Sequence, residues 1–492
     1  MTSAEKRSRM AVVPSGAKPR HNSPVTSALT CSSLVCLLQA TLSLKPAQLP
    51  LIDRKPFIAA WNTPFDMCAS RYNVSANLDL FHIHGSPRGI RTGQDVTIFY
   101  ANRLGLYPFY TDKGAPVNGG LPQNCSLESH LRKAGQDIRH YIPSKDFCGL
   151  AVIDWEYWRP QWSRNWDKKD IYRRKSRELV RRGHVNATVG QVEELARSRF
   201  EDSATAFMRE TLQLGIRTRP QGLWGFYLYP DCHNYNLHVH NYTGSCPTLE
   251  QTRNDDLQWM WDSSTALFPS VAIRRRQTDS LSNLYFSRCR VQESLRIAGL
   301  SSLDYELPTF VYMRLGYRDE AMTFLTTTDL IHTIGESAAL GAAGFVIWGD
   351  LNLTTSRHSC SRVKTFLETT LGHYVTNVTQ AADLCSRHLC GSNGRCARRD
   401  AHAPHYLHLS ANTHRIEATG GGAFTVTGRP SRRELRVLAK RFQCHCYRGY
   451  GGERCDVLVG PELAESSSPG NQNVDALALL LPLVLVTALL GD

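Results

Sequence analysis

Two carboxylates set two residues apart, Asp154 and Glu156, are the residues of this chain best placed to do acid–base chemistry. They close the run Val152-Ile153-Asp154-Trp155-Glu156, which reads as a buried strand. Side chains alternate along a strand, so both acids point the same way, about 6–7 Å apart at Cα. Two carboxyl groups that close in a shielded site cannot both ionise easily, and one keeps its proton at a pH where an isolated acid has lost it. A retained proton is what a glycosidic oxygen needs as it leaves. The bland alternative is a strand end carrying two solvated acids. Trp158, Arg159-Pro160, Trp162 and Trp166 follow at once and argue against it.

The elements that would position these acids are legible as alternation. Strands are expected over 57–61, 96–100, 150–155, 223–228, 269–273, 309–313 and 344–348. Helical patterns are expected over 192–214, 248–261, 286–298, 328–342 and 363–371. Strand–helix alternation of this length predicts an α/β fold, a distorted (β/α) TIM-like barrel, with its reactive groups at the C-terminal ends of the strands. Tyr100, Asp154, Glu156, Tyr227 and Trp348 all fall at such ends.

The chain has 492 residues and a formal net charge of +13. That balance suits a polyanionic partner, an anionic glycan or a membrane surface. No zinc-finger spacing and no RNP-like motif is present, which disfavours nucleic acid. The 15 cysteines and the sequons at Asn73, Asn186, Asn241, Asn352 and Asn377 favour an oxidising, secretory environment. A further sequon at Asn124 is set aside because Cys125 occupies its middle position.

Five regions are expected: a targeting segment at 1–44, the barrel at 50–380, a cysteine-rich module at 381–458, a stalk at 459–475 and an apolar tail at 476–492. Small residues Ser466, Ser467 and Ser468, a polar spacer and the apolar run that follows have the layout of a GPI-attachment signal. Residues 28–44 read as the apolar part of a signal peptide. Together they predict a cell-surface, GPI-anchored protein that enters the secretory pathway, with an endosomal or lysosomal compartment or secretion as alternatives. From Cys385 the spacing Cys385, Cys390, Cys396, Cys444, Cys446, Cys455 looks like an EGF module with a long basic insertion; six cysteines permit fifteen pairings.

Several stretches together resemble the animal hyaluronidases, glycoside hydrolase family 56. They are Ala151 to Glu156 with Trp158-Arg159-Pro160, Leu223-Trp224-Gly225-Phe226-Tyr227 with Pro230-Asp231-Cys232, Glu336 to Gly344, Thr97 to Tyr100, and Leu104 to Pro108. The GPI-like end makes the chain most similar to the family's type-2, membrane-anchored members. The resemblance implies a groove for hyaluronan and endohydrolysis of its β-1,4 bonds with retention. The attacking group would be the substrate's own N-acetyl oxygen, an exception to the two-carboxylate scheme.

It also implies roles. Glu156 would be the general acid and Asp154 the partner that shares its proton. Tyr227 would hold the N-acetyl group, Tyr100 would line the groove, and Trp348 would pack near the acetamido methyl. Arg290 would lie near the site, suited to a glucuronate carboxylate. The implied disulfides are Cys68–Cys360, Cys232–Cys246, Cys385–Cys396, Cys390–Cys444 and Cys446–Cys455. Cys125 and Cys148 are left as one further pair, with Cys289 a thiol. No cofactor and no metal are called for. Chondroitin, which differs at one hydroxyl of the amino sugar, is an alternative substrate.

One position departs from the family. The segment 267–271 is normally followed by a tyrosine facing the active site, and here the residue is Ala272. Loss of that hydroxyl would cost roughly 10²–10³ in rate if it stabilises developing charge. A second expectation therefore stands beside hydrolysis: a hyaluronan-binding receptor or adhesion protein with weak or lost catalysis. Tyr157 and His233 are milder departures.

Overall fold

A computed structural model describes residues 45–88 and 91–460. The targeting segment at 1–44, the serines at 466–468 and the apolar tail lie outside the described residues.

Seven strands form the central barrel: β1 (Ile58–Asn62), β2 (Ile83–Gly85), β3 (Val96–Tyr100), β4 (Leu150–Asp154), β5 (Leu223–Phe226), β6 (Phe310–Arg314) and β7 (Gly344–Trp348). They pair in parallel as two arcs, β2-β1-β7-β6 and β3-β4-β5. The stretch 267–270 spans one gap through isolated bridges to Tyr227, Thr309 and Tyr312. The other gap is crossed where the Asp95 amide donates to the His84 carbonyl at 3.1 Å. The ring is therefore closed but uneven. The strand expected over 269–273 is corrected to this irregular stave, because Pro269 has no N–H with which to continue a ladder. The three-residue β2 was not foreseen; it is too short to show a period.

Alternation sorts each strand into two faces. Ile58, Ala60, Ile98, Val152, Phe310, Tyr312 and Val346 fill the barrel. Ala59, Trp61, Val311, Phe345 and Ile347 face outward into one helix-covered core, and Phe99, Ala151 and Ile153 into another. The last inward position of each strand opens at the barrel mouth. Register sets these positions side by side: Tyr100 opposite Asp154, and Asn62 opposite Trp348 opposite Arg314.

The helix expected over 192–214 runs over Val189–Thr218, begun by a capping box in which Thr188 and Gln191 satisfy each other's amides. The helix expected over 248–261 is two pieces, Thr248–Asp255 and Gln258–Trp261. Helices at Leu127–Tyr141, Asp170–Gly183 and Gly372–Leu389 were not foreseen.

All five implied disulfides are formed, Cys68–Cys360 between the outer helices Asp66–Tyr72 and Arg357–Phe366, and Cys232–Cys246, Cys385–Cys396, Cys390–Cys444 and Cys446–Cys455. The pair suggested for Cys125 and Cys148 is not: both are free, as is Cys289. The boundary expected at 380/381 falls inside the continuous helix Gly372–Leu389. Cys385, Cys390 and Phe442 share one apolar core with Trp61 and Val311. Buried Glu336 receives Arg288 at 2.6 Å and Arg398 at 2.5 Å, so the cysteine-rich part is bolted to the barrel. The insertion between Cys396 and Cys444 folds as a hairpin, His414–Ala418 with Phe424–Gly428, and a helix, Arg432–Arg441.

Candidate active site

Leu150, Val152 and Asp154 share the inward face of β4, and the strand stops at Asp154. Glu156 follows on a short segment whose neighbours are pinned. Trp155 is buried and stacks on Tyr107 with ring centroids 4.5 Å apart. The buried Trp158 indole donates to the Pro108 carbonyl at 2.8 Å. The Arg159 guanidinium and the Lys169 ammonium both donate to the Glu156 carbonyl. Buried aromatic anchors on either side thus present an exposed Glu156 carboxyl to the cleft.

The cleft has a volume of about 900 Å³, and both acids line it. Asp154 is pushed up to about 7, first by burial and then by the charge of Glu156, with Arg159 opposing. Asp154 therefore keeps its proton at a pH where a free aspartate is ionised. Burial likewise brings Lys169 down to about 8, helped by Arg159.

Tyr227 and Trp348 line the same cleft. The Tyr227 hydroxyl donates to Ser270 Oγ at 3.2 Å, and burial raises its pKa, so it stays a neutral donor. Tyr100 lines an adjoining hollow of about 570 Å³ whose wall is also Trp348. The Trp348 indole donates to the Tyr100 hydroxyl at 3.1 Å. Burial pushes Tyr100 up to about 12. The groove thus continues past Trp348 with Tyr100 in its second compartment.

Arg290 lies beside the site, as expected, but behind the groove wall. It is buried, 3 % exposed, with its guanidinium 3.0 Å from Asp231 and donating to Asn234 Oδ1 at 2.9 Å and the Ser270 carbonyl at 3.1 Å. Its carboxylate partner is the protein's own Asp231, which Arg290 and then His233 hold down to about 2 although burial alone would raise it. Arg159, Arg274, Arg276, Arg314 and Arg318 line the groove, and Arg314 stacks over Trp348 at 4.6 Å and lies 3.3 Å from Asp350. The strand expected over 309–313 stopped one residue short of Arg314. Extending the alternation Phe310, Tyr312, Arg314 by one step would have found it.

Ala272 lines the cleft, and so does His233, 3.3 Å from Asp231. Tyr157 turns away and stacks on Phe109 at 4.1 Å. Of the sequon asparagines, Asn73, Asn186, Asn241 and Asn352 are exposed. Asn377 is half-buried within the helix Gly372–Leu389, and its Oδ1 accepts from the Leu409 amide at 2.7 Å. It is the one sequon in the set whose amide is drawn into the fold.

With this geometry the chain can be set beside known proteins. It is 55 % identical over 445 residues to human "Hyaluronidase-4", covering 90 % of this chain and 92 % of that one. It is 43 % identical over 428 residues to human "Hyaluronidase-2", covering 86 % and 90 %. The expected leaning toward the type-2 members is thus not what these identities favour. Among solved structures, bee venom hyaluronidase in complex with a hyaluronic acid tetramer matches with a TM-score of 0.57 at 32 % identity, covering 65 % of this chain and 98 % of that one. Residues 46–458 match the family described as "Hyaluronidase", glycoside hydrolase family 56, and the chain belongs to that family.

Proposed function

We infer that this chain is an endo-β-N-acetylhexosaminidase that hydrolyses the β-1,4 bonds of hyaluronan. The observation that carries the reading is the placement of Asp154 and Glu156 on the wall of one open groove, with the Asp154 carboxyl raised to about 7 by burial and by the charge of Glu156. Asp154 keeps a proton beside Glu156. Glu156, the more exposed of the two, gives a proton to the departing glycosidic oxygen and later takes one from water. No second carboxylate of the pair needs to attack the sugar. The N-acetyl oxygen of the substrate closes on the anomeric carbon, the bond to the leaving oxygen breaks, and water reopens the ring with net retention. Tyr227, a neutral donor, holds the acetamido group. Trp348 packs against its methyl, Tyr100 extends the groove, and Arg314 faces the uronate.

Incubation of the folded protein with long hyaluronan between about pH 3.5 and 7, a span bracketing ordinary and raised carboxyl pKa values, tests this. The polymer should shorten, and Glu156→Gln should stop the shortening while still binding.

Ala272 favours a second reading, a hyaluronan-binding protein of low turnover. The methyl leaves the cleft without the hydroxyl that family members place there. Tight binding without cleavage, with cleavage restored by Ala272→Tyr, would select it. Side-by-side digestion of chondroitin decides whether the amino-sugar epimer is discriminated. For the remainder of the chain, the proposal is an EGF-like unit from Cys385 to Cys455 and a GPI anchor near Ser466–Ser468 that holds the enzyme at the cell surface. The support is cysteine spacing and the composition of residues 466–490.

A further inference from the structure

The helix Arg432–Arg441 has a composition that packing does not explain. None of its residues is buried. Arg432, Arg436 and Lys440 recur every fourth residue, which places them on one face at steps of about 6 Å. Arg433 and Arg441 flank that row, and Arg429 stands just before the helix. All six are exposed. Among the described residues none of them forms an ion pair, although neighbouring cations such as Arg398 and Arg448 do. The helix's own acid, Glu434, is fully engaged: it accepts from the Ser431 amide at 2.7 Å and from the Thr413 hydroxyl at 2.9 Å. The row of cations is therefore uncompensated. Like charges so arranged on one helix repel each other and weaken it unless a partner neutralises them.

We propose that this helix is a second polyanion-binding surface, outside the catalytic groove, that docks a sulfated glycosaminoglycan chain. The choice of partner follows from charge spacing and from what the helix lacks. Hyaluronan carries a single carboxylate per disaccharide, whereas a sulfated chain adds sulfates between its carboxylates and so approaches the dense period of the Arg432–Arg436–Lys440 row. Guanidinium groups also pair with sulfate in the bidentate way they pair with carboxylate and phosphate. A membrane-surface helix needs an apolar face to bury in the bilayer. Here Leu438 is half-buried against the protein core and Val437 is the one exposed large apolar residue of the helix. The insertion would hold the enzyme on a sulfated matrix while the barrel works on its own substrate, raising the local concentration of one polymer near the other.

The test uses the full chain carrying Glu156→Gln, so that no polymer is consumed, with the groove saturated by short hyaluronan oligosaccharides. Binding to immobilised heparin is measured against salt. The triple variant Arg432→Glu, Arg436→Glu, Lys440→Glu should bind at least about tenfold more weakly, with a shallower salt slope, as expected when several charge contacts are lost. Arg432→Lys with Arg436→Lys should retain most of the binding. Unchanged melting temperature and circular dichroism show that the variants fold. Heparin binding that survives the triple reversal overturns the proposal. So does helix-dependent binding to phosphatidylserine vesicles that exceeds binding to heparin.

Discussion

The indole of Trp348 donates to the hydroxyl of Tyr100 at 3.1 Å, joining residues 248 positions apart in sequence. One ends β7 and the other ends β3, so the bond links the two arcs of an uneven barrel at its mouth. It also divides the groove into the compartment that holds the acids and the one lined by Tyr100. Tyr100, Asp154 and Trp348 are thus fixed by strand register, and Glu156 by the buried Trp155 and Trp158 on either side of it, which is what precise proton transfer requires.

Replacing Tyr100 by Phe removes the hydroxyl and leaves the Trp348 indole without its acceptor. The expected result is a fold intact by circular dichroism and a fall of roughly tenfold in kcat/KM, the scale of one lost positioning hydrogen bond. A rise in KM larger than the fall in kcat would place the effect on binding.

Asp154 predicts a pH profile. Its folded pKa, about 7, lies above its ordinary value of 3.8. Asp154 keeps its proton below that and loses it above, so hydrolysis should decline as pH rises through about 7. The same shift costs stability. The folded state binds the extra proton between the two values, so stability falls as pH climbs across that window. Asp154→Asn should flatten this part of the stability curve, read by chemical denaturation at pH 4, 5.5 and 7.5, while lowering activity.

Arg290 and Arg314 should separate cleanly. Arg290 is buried against Asp231, and its replacement by Met strands a buried carboxylate, at a cost of roughly 3–5 kcal/mol. A large drop in melting temperature is expected. Arg314→Met touches the groove and should raise KM for hyaluronan several-fold with little change in melting temperature. The opposite pattern would restore Arg290 as the substrate-facing arginine.

Ala272→Tyr returns a ring and a hydroxyl to the cleft. If that hydroxyl stabilises developing charge, kcat should rise, by up to roughly 10²-fold. An unchanged or lower kcat would mean that His233 and its neighbours already occupy the space.

Much of this was legible in the sequence, for identifiable reasons. The inward parity of Tyr100, Asp154 and Trp348 follows from a period of two, and register then aligned them. The five disulfides came from the resemblance, which the spacing of cysteines alone left open. Arg290 stands beside the site, as the resemblance implies, but its carboxylate partner was not legible in the sequence. It sits in Leu281–Leu300, and its side chain is spent on Asp231. A strand is expected over 269–273 from its apolar Val271 and Ile273, whereas Pro269 and the isolated bridges of 267–270 make this stave irregular. The helix Asp170–Gly183 was passed over because its basic residues hide three buried contacts, Tyr172, Ser176 and Val180, spaced four apart.

The most direct measurement is the chain length of hyaluronan after incubation with the folded wild-type protein and with Glu156→Gln, at a pH near 5 where Asp154 holds its proton. The account predicts fragmentation by the wild type and a loss of roughly 10²–10⁴-fold in rate for the variant, the usual weight of a positioned general acid. Undiminished cutting by Glu156→Gln, or none by a properly folded wild type, would contradict it.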